Sequence, residues 1–180
     1  MTTGAEALRH LTTPRIDTRT SQRRAVAIPS WDVLAQEVDR VERAAAPDGE
    51  GLRVTGNWSA GQILDHVARA IERSMDGFVG PHPVRPGTNG AAERKSRMLS
   101  LPLAPAGPSI ACAGDIEPPV QVWTPDGAAH IRTALNRVRE NHPLDKPSPM
   151  VGPLTQQEWT TFHLRHAALH LSFIVFGERN

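Results

Sequence analysis

The sequence predicts an all-α protein, a four-helix bundle in which a long Pro/Gly-rich connection joins helices 2 and 3. Three observations predict it. Apolar residues recur at the 3.6-residue spacing of a buried helical face in four separate stretches. Two of those stretches open on a Ser/Thr-x-x-Gln/Glu capping box. No stretch reads as a convincing pair of sheet strands.

The first helix follows Pro29. Ser30 is placed to cap it, Asp32 lies in its first turn, and Leu34, Val38, Val41 and Ala45 form its inner face. Pro47-Asp48-Gly49 ends it. The second helix starts at the box Ser59-Ala60-Gly61-Gln62, carries Ile63, Val67, Ala70, Ile71 and Ser74 on one stripe, and stops at Gly77. The short connection before it favours helices 1 and 2 as neighbours. Residues 77–124 hold 8 Pro and 6 Gly, too many for continuous helix. That stretch is expected to act as a lid or to contain short elements: a helix over 91–99, and extended chain at Pro118-Pro119, Val120, Val122 and Trp123. Thr124-Pro125-Asp126 opens the third helix with proline at the first helical position, and Ile131, Leu135 and Val138 supply its inner face. Asn141 to Pro143 closes it. The box Thr155-Gln156-Gln157-Glu158 launches the last helix, expected to run from Glu158 to about Phe176. Residues 1–27, rich in Thr and Arg, read as a flexible or draped N-terminal arm, and 28–180 as the domain.

Composition narrows the function classes. Twenty Lys and Arg against nineteen Asp and Glu give a net charge of +1, so there is no electrostatic footprint for nucleic acid. The single cysteine, Cys112, excludes an intrachain disulfide and a Cys-based zinc ribbon, and suits a reducing cytoplasm. Arg23-Arg24 invites a twin-arginine export reading, but only Ala25-Val26-Ala27-Ile28 follows before Pro29. No apolar run approaches the roughly 20 residues of a membrane span. The expected partner is a small-molecule substrate, with a homodimer as the assembly to look for.

Chemistry concentrates in the histidines. His163, His166 and His170 span only about 60° of helical arc, beside Trp159, Phe173 and Ile174, so they point inward or into a cleft. Burying three imidazoles costs free energy unless their nitrogens find partners, and one metal ion satisfies several at once. The i, i+4 pair His166 and His170 suits a single ion, and His66 shares the inner stripe of helix 2 with Val67 and Ala70. His66, His166 and His170 are therefore the expected metal ligands. His163 is expected either as a fourth ligand or as a group behind the ligands or facing substrate. The plain alternative is that each histidine is a core residue bonded to backbone. His10, His82, His130 and His142 read as surface residues. Asn57, Trp58 and Trp159 are candidates for the pocket, the two tryptophans alternatively for plain core. Gln62 and Glu158 read as caps, Asp65 as solvent-facing, and Cys112 as a small buried hydrophobe.

The segment Gly56-Asn57-Trp58-Ser59-Ala60-Gly61-Gln62-Ile63-Leu64-Asp65-His66-Val67-Ala68 resembles a signature segment of the DUF1569 branch of the DinB/YfiT-like superfamily. So do Ser148-Pro149, Leu154-Thr155-Gln156-Gln157-Glu158-Trp159 and His163-Leu164-Arg165-His166-Ala167-Ala168-Leu169-His170-Leu171, in the same order and spacing. The resemblance covers roughly residues 23–176, loosely over 77–124. It implies a four-helix bundle with a mononuclear divalent metal (Zn, Ni or Fe) on His66, His166 and His170. Relatives in that superfamily include metal-dependent thiol transferases using bacillithiol, mycothiol or glutathione, and a mycothiol-dependent maleylpyruvate isomerase. Leu171-Ser172 stands where the commonest superfamily pattern has an Arg-Gly-Gln-like run. The resemblance thus implies a metal-dependent thiol S-transferase, activating a low-molecular-weight thiol or water against a small electrophile. A non-catalytic metal- or small-ligand-binding bundle and a metal-dependent hydrolase are the rival expectations. No Ser-His-Asp arrangement, phosphate loop or dinucleotide fingerprint competes.

Overall fold

The computed structural model describes residues 16–79, 90–100, 103, 105 and 114–177; His10, His82 and Cys112 lie outside them. Within these the protein is mostly helical: α1 (Trp31–Ala45), β1 (Leu52–Val54), α2 (Ala60–Asp76), α3 (Ala91–Ser100), α4 (Thr124–Arg139), α5 (Gln156–Leu171) and β2 (Ile174–Phe176). No described helix is long and apolar enough to cross a membrane.

The helix starts follow the predicted chemistry. The Ser30 side chain accepts from the Val33 amide, and Ser59–Gln62 and Thr155–Glu158 both form complete capping boxes. The start of α4 differs. Its cap position is Trp123, which supplies no side-chain hydrogen bond, so Thr124 already lies inside the helix and does not cap it. Pro125, lacking an N–H, leaves one fewer orphan donor there to satisfy.

α2 is the central element. The predicted stripe of Ile63, Val67, Ala70, Ile71 and Ser74 is buried together with His66, and so are Leu64, Asp65, Ala68 and Met75. A helix buried on nearly every side must be covered by several partners. α4 covers one flank of α2 and α5 another, while α3 lies on α5. The α2–α4 crossing is close because Gly61 and Gly127 meet there. A Cβ on Gly61 would strike the Val122 carbonyl, and one on Gly127 would strike the Gly61 carbonyl.

Three sequence expectations need correction. α1 packs chiefly on α4, with a smaller contact to α5, rather than beside α2 as the short connection suggested. The reason is β1, which turns that connection away into a two-stranded antiparallel sheet. Its burial pattern differs too: Ala44 is buried and Ala45 exposed, because the chain folds back and the Gly51 amide donates to the Ala44 carbonyl at 3.0 Å. The last helix also ends earlier than expected, at Leu171. Ile174, Val175 and Phe176, two β-branched residues and an aromatic, then pair as Leu52↔Phe176, Arg53↔Val175 and Val54↔Ile174. This small sheet carries Gly56, and with it Trp58, onto the end of α5, where Gly56 lies beside Phe173.

The described chain before α1, from residue 16 onward, runs along the same end. The Arg24 amide donates to the Ser172 carbonyl at 3.0 Å, its Nε to the Ile174 carbonyl at 2.7 Å, and its guanidinium meets Glu37 at 2.6 Å.

Candidate metal centre

Two helices bring three histidines together. His66 stands nearly two turns into α2 and His166 and His170 stand one turn apart on α5, and one nitrogen from each lies within 4.8 Å of the other two. The closest approaches are between Nε2 atoms: His66 to His166 at 3.1 Å and His166 to His170 at 3.0 Å. Two imidazoles bound to one ion at about 2.0–2.1 Å place their nitrogens about 3.0 Å apart at a right angle and about 3.4 Å apart at the tetrahedral angle. The donor spacing therefore fits a single divalent ion.

Proton bookkeeping supports the same conclusion. His66 Nδ1 lies 2.7 Å from the Ile116 carbonyl oxygen, which can only accept, so the hydrogen sits on Nδ1 and Nε2 keeps its lone pair. One N–H on His166 would have to serve both neighbours, and a second N–H in the cluster would face the first. One shared cation satisfies all three nitrogens. Burial pushes the His66 imidazole down to about 4, and burial together with the neighbouring histidines holds His166 and His170 well below the ordinary histidine range. All three are neutral at physiological pH, the state in which imidazole binds metal.

Aromatic rings wall the cluster. Trp58 packs against His66 and stacks on His170, with centroids 4.6 and 5.5 Å away. Phe162 stacks on His166 at 5.4 Å with 12° between planes. The sequence singled out Trp58 but not Phe162, whose signal was its place one helical turn before His166. His66 is buried while His166 and His170 are half-buried, so the cluster has an inner and an outer side.

The other candidates separate. His163 is fully buried outside the cluster, stacked on Trp159 at 5.0 Å, with Nε2 2.9 Å from Ser74 Oγ. Ser74 Oγ donates to the Ile71 carbonyl at 2.6 Å, so it accepts from His163 Nε2–H. Burial pushes His163 down to about 3. Trp159 belongs to the core, its indole N–H donating to the Lys146 carbonyl at 3.1 Å and its ring lying against Phe78 and His163. The Asn57 side chain bonds the amide and carbonyl of Ile16 at 2.8 and 3.1 Å. Glu158 adds a 2.8 Å ion pair with Lys95 to its capping role.

Asp65 and His130 are both misjudged by the sequence reading. Asp65 is buried, and His130 is half-buried on α4 with Nδ1 2.6 Å from Asp65 Oδ1 and Nε2 3.0 Å from Glu72 Oε2. Arg69 Nε donates to Asp65 Oδ2 at 2.6 Å. Burial alone would raise the Asp65 carboxyl, but hydrogen bonds from His130 and Arg69 outweigh it and hold it below its ordinary value. The bonds to Asp65 and Glu72 lift His130 to about 9, so it is a cation fastening α4 to α2. Testing α2 against one apolar stripe missed this, because α4 covers the flank that stripe leaves polar. His142 is exposed as expected. A surface groove of about 630 Å³ lies between Arg23–Ile28 and the Arg165, Leu169 and Ser172 flank of α5, and none of the three histidines lines it.

The model of the family described as "Protein of unknown function (DUF1569)" matches residues 20–176. No curated protein and no solved structure matches the chain. With the match extending from the segment before α1 through β2, the chain belongs to the DUF1569 family.

Proposed function

We propose that this protein is a metal-dependent enzyme on a DinB/YfiT-like four-helix bundle of α1, α2, α4 and α5, with His66, His166 and His170 holding a divalent Zn, Ni or Fe ion. The observation that carries the proposal is the convergence of three neutral imidazoles, two of their Nε2–Nε2 separations being 3.0 and 3.1 Å. Three protein ligands leave coordination positions for water or substrate, the arrangement of catalytic rather than structural sites. A bound ion would supply Lewis acidity, which would acidify a low-molecular-weight thiol or water for use as the nucleophile towards a small electrophile. The chain's own part is orientation and exclusion. The Ile116 carbonyl fixes which nitrogen of His66 is free to ligate, and Trp58 and Phe162 shield the cluster on two sides. A small molecule in the cytoplasm is the substrate this reading requires, and a homodimer is its proposed assembly.

Metal analysis of the purified protein beside His66→Ala and His166→Ala is the test. About one divalent ion per wild-type chain and little in either variant is expected; equal content in all three refutes the site. Thiol conjugation to a panel of electrophiles, with and without added divalent ions, then tests the reaction. Metal binding without turnover of any thiol would identify a metal-binding bundle, and metal-dependent ester or amide cleavage a hydrolase.

A further inference from the structure

His66 owes its ligating nitrogen to a carbonyl that α2 itself does not provide. Ile116 lies in the chain leading into α4, and this chain runs antiparallel along one face of α2. Ser59 Oγ donates to the Val122 carbonyl at 3.4 Å, Gln62 Nε2 to the Pro119 and Val120 carbonyls at 2.8 and 3.0 Å, and His66 Nδ1 to the Ile116 carbonyl at 2.7 Å. At the far end the Asp115 carboxylate accepts from Arg73 Nε at 3.3 Å and from the Val79 amide at 2.7 Å. Gln62, His66 and Arg73 thus form one row on the helix, at i, i+4 and i+11. Pro118 and Pro119 lack an N–H, so their backbone can be held only through its carbonyls. Gln62 has a second bond, in which its Oε1 accepts from the Ser59 amide at 2.8 Å to complete the capping box.

We infer that Gln62 is a positioning residue for the metal site: its amide N–H group clamps the Pro119 and Val120 carbonyls, which keeps the Ile116 carbonyl on His66 Nδ1 and the lone pair on Nε2. The inference rests on the proposed metal site for its consequence, but not for its geometry. If the clamp opens, the buried Nδ1–H loses its acceptor, and the proton gains nothing by staying there. A proton on Nε2 blocks the nitrogen that faces His166 and His170. Partners behind a ligating histidine are worth about 10–100-fold in metal affinity.

Gln62→Glu separates the clamp from the cap. A glutamate at this position still accepts from the Ser59 amide, yet its carboxylate cannot donate to two carbonyls. Long-range proton–nitrogen spectra of the metal-free protein report the tautomer of His66, with the signal assigned by its loss in His66→Ala. Wild type is expected to show Nδ1–H, and Gln62→Glu a shift towards Nε2–H or exchange between the two. Zn(II) affinity, read by competition with a chromophoric chelator, is expected to fall about 10–100-fold in the variant while the melting temperature changes little. Should Gln62→Glu not fold, Asp115→Asn weakens the other end of the same chain and is expected to move both readouts in the same direction. An unchanged His66 tautomer overturns the inference, whatever the Zn(II) affinity does. A shifted tautomer in a protein whose wild type binds no Zn(II) supports the clamp and refutes only the metal reading.

Discussion

Replacing His130 by glutamine removes a cation that Asp65 and Glu72 share across the α2–α4 contact. Its pKa stands at about 9 against 6.5 for a free histidine. A difference of about 2.5 units at about 1.36 kcal/mol each sets a ceiling of about 3.4 kcal/mol on its contribution. The side chain is 26% exposed and the group is only half enclosed, so solvent screening brings the expected value to about 1–2 kcal/mol. A raised histidine pKa stabilises fully below its unfolded value, and that contribution is lost as pH rises through the folded value. Wild type should therefore lose about 1–2 kcal/mol between pH 6.5 and 9 through this group, and His130→Gln should not. Urea denaturation across pH 6 to 9.5, in the presence of a chelator so that metal binding does not contribute, measures both. Stability curves that run parallel with pH for the two proteins would refute the assignment of His130 as a structural cation.

Other consequences follow from the same packing. His163→Ala should cost about 2–4 kcal/mol in chemical denaturation, from the lost contact with Trp159 and the lost hydrogen bond to the Ser74 hydroxyl, while leaving metal content at the wild-type level; metal loss would put His163 among the ligands. Gly61→Ala and Gly127→Ala each force a Cβ into facing backbone and should lower stability by about 1–3 kcal/mol or more, read as melting temperature; a neutral effect would mean the α2–α4 crossing is looser than described. Because His66 titrates at about 4 and its two neighbours well below 6.5, Zn(II) affinity should change little between pH 7 and 6. A tenfold or greater loss over that interval, measured by chelator competition, would mean the imidazoles are ordinary, solvated ones.

How much was legible in the sequence depended on whether the signal was local. Capping boxes at Ser59 and Thr155 were readable because each uses residues three apart. The faces carrying His66, His166 and His170 were readable because helical periodicity fixes angle within one element. What could not be read was which element lies opposite which face. Asp65 looked solvent-facing on a wheel that knew nothing of α4, and His130 looked like a surface residue for the same reason. Ile174, Val175 and Phe176 continued a helical pattern on paper, and only the partner segment Leu52–Val54 makes them a strand. The backbone carbonyl of Ile116 carries no side-chain signature at all. Its role emerges only when the chain before α4 is laid along α2.

His66 and His166 are separated by 100 positions in the chain, yet their nitrogens come within 3.1 Å. An ion seated there would be a reversible staple across more than half the polypeptide. An unfolded chain cannot offer that chelate, so each tenfold rise in free ion above the dissociation constant would favour the native state by about 1.4 kcal/mol. Persistence of the fold would then track how much ion its surroundings supply, making resistance to heat or proteolysis an indirect gauge of metal supply.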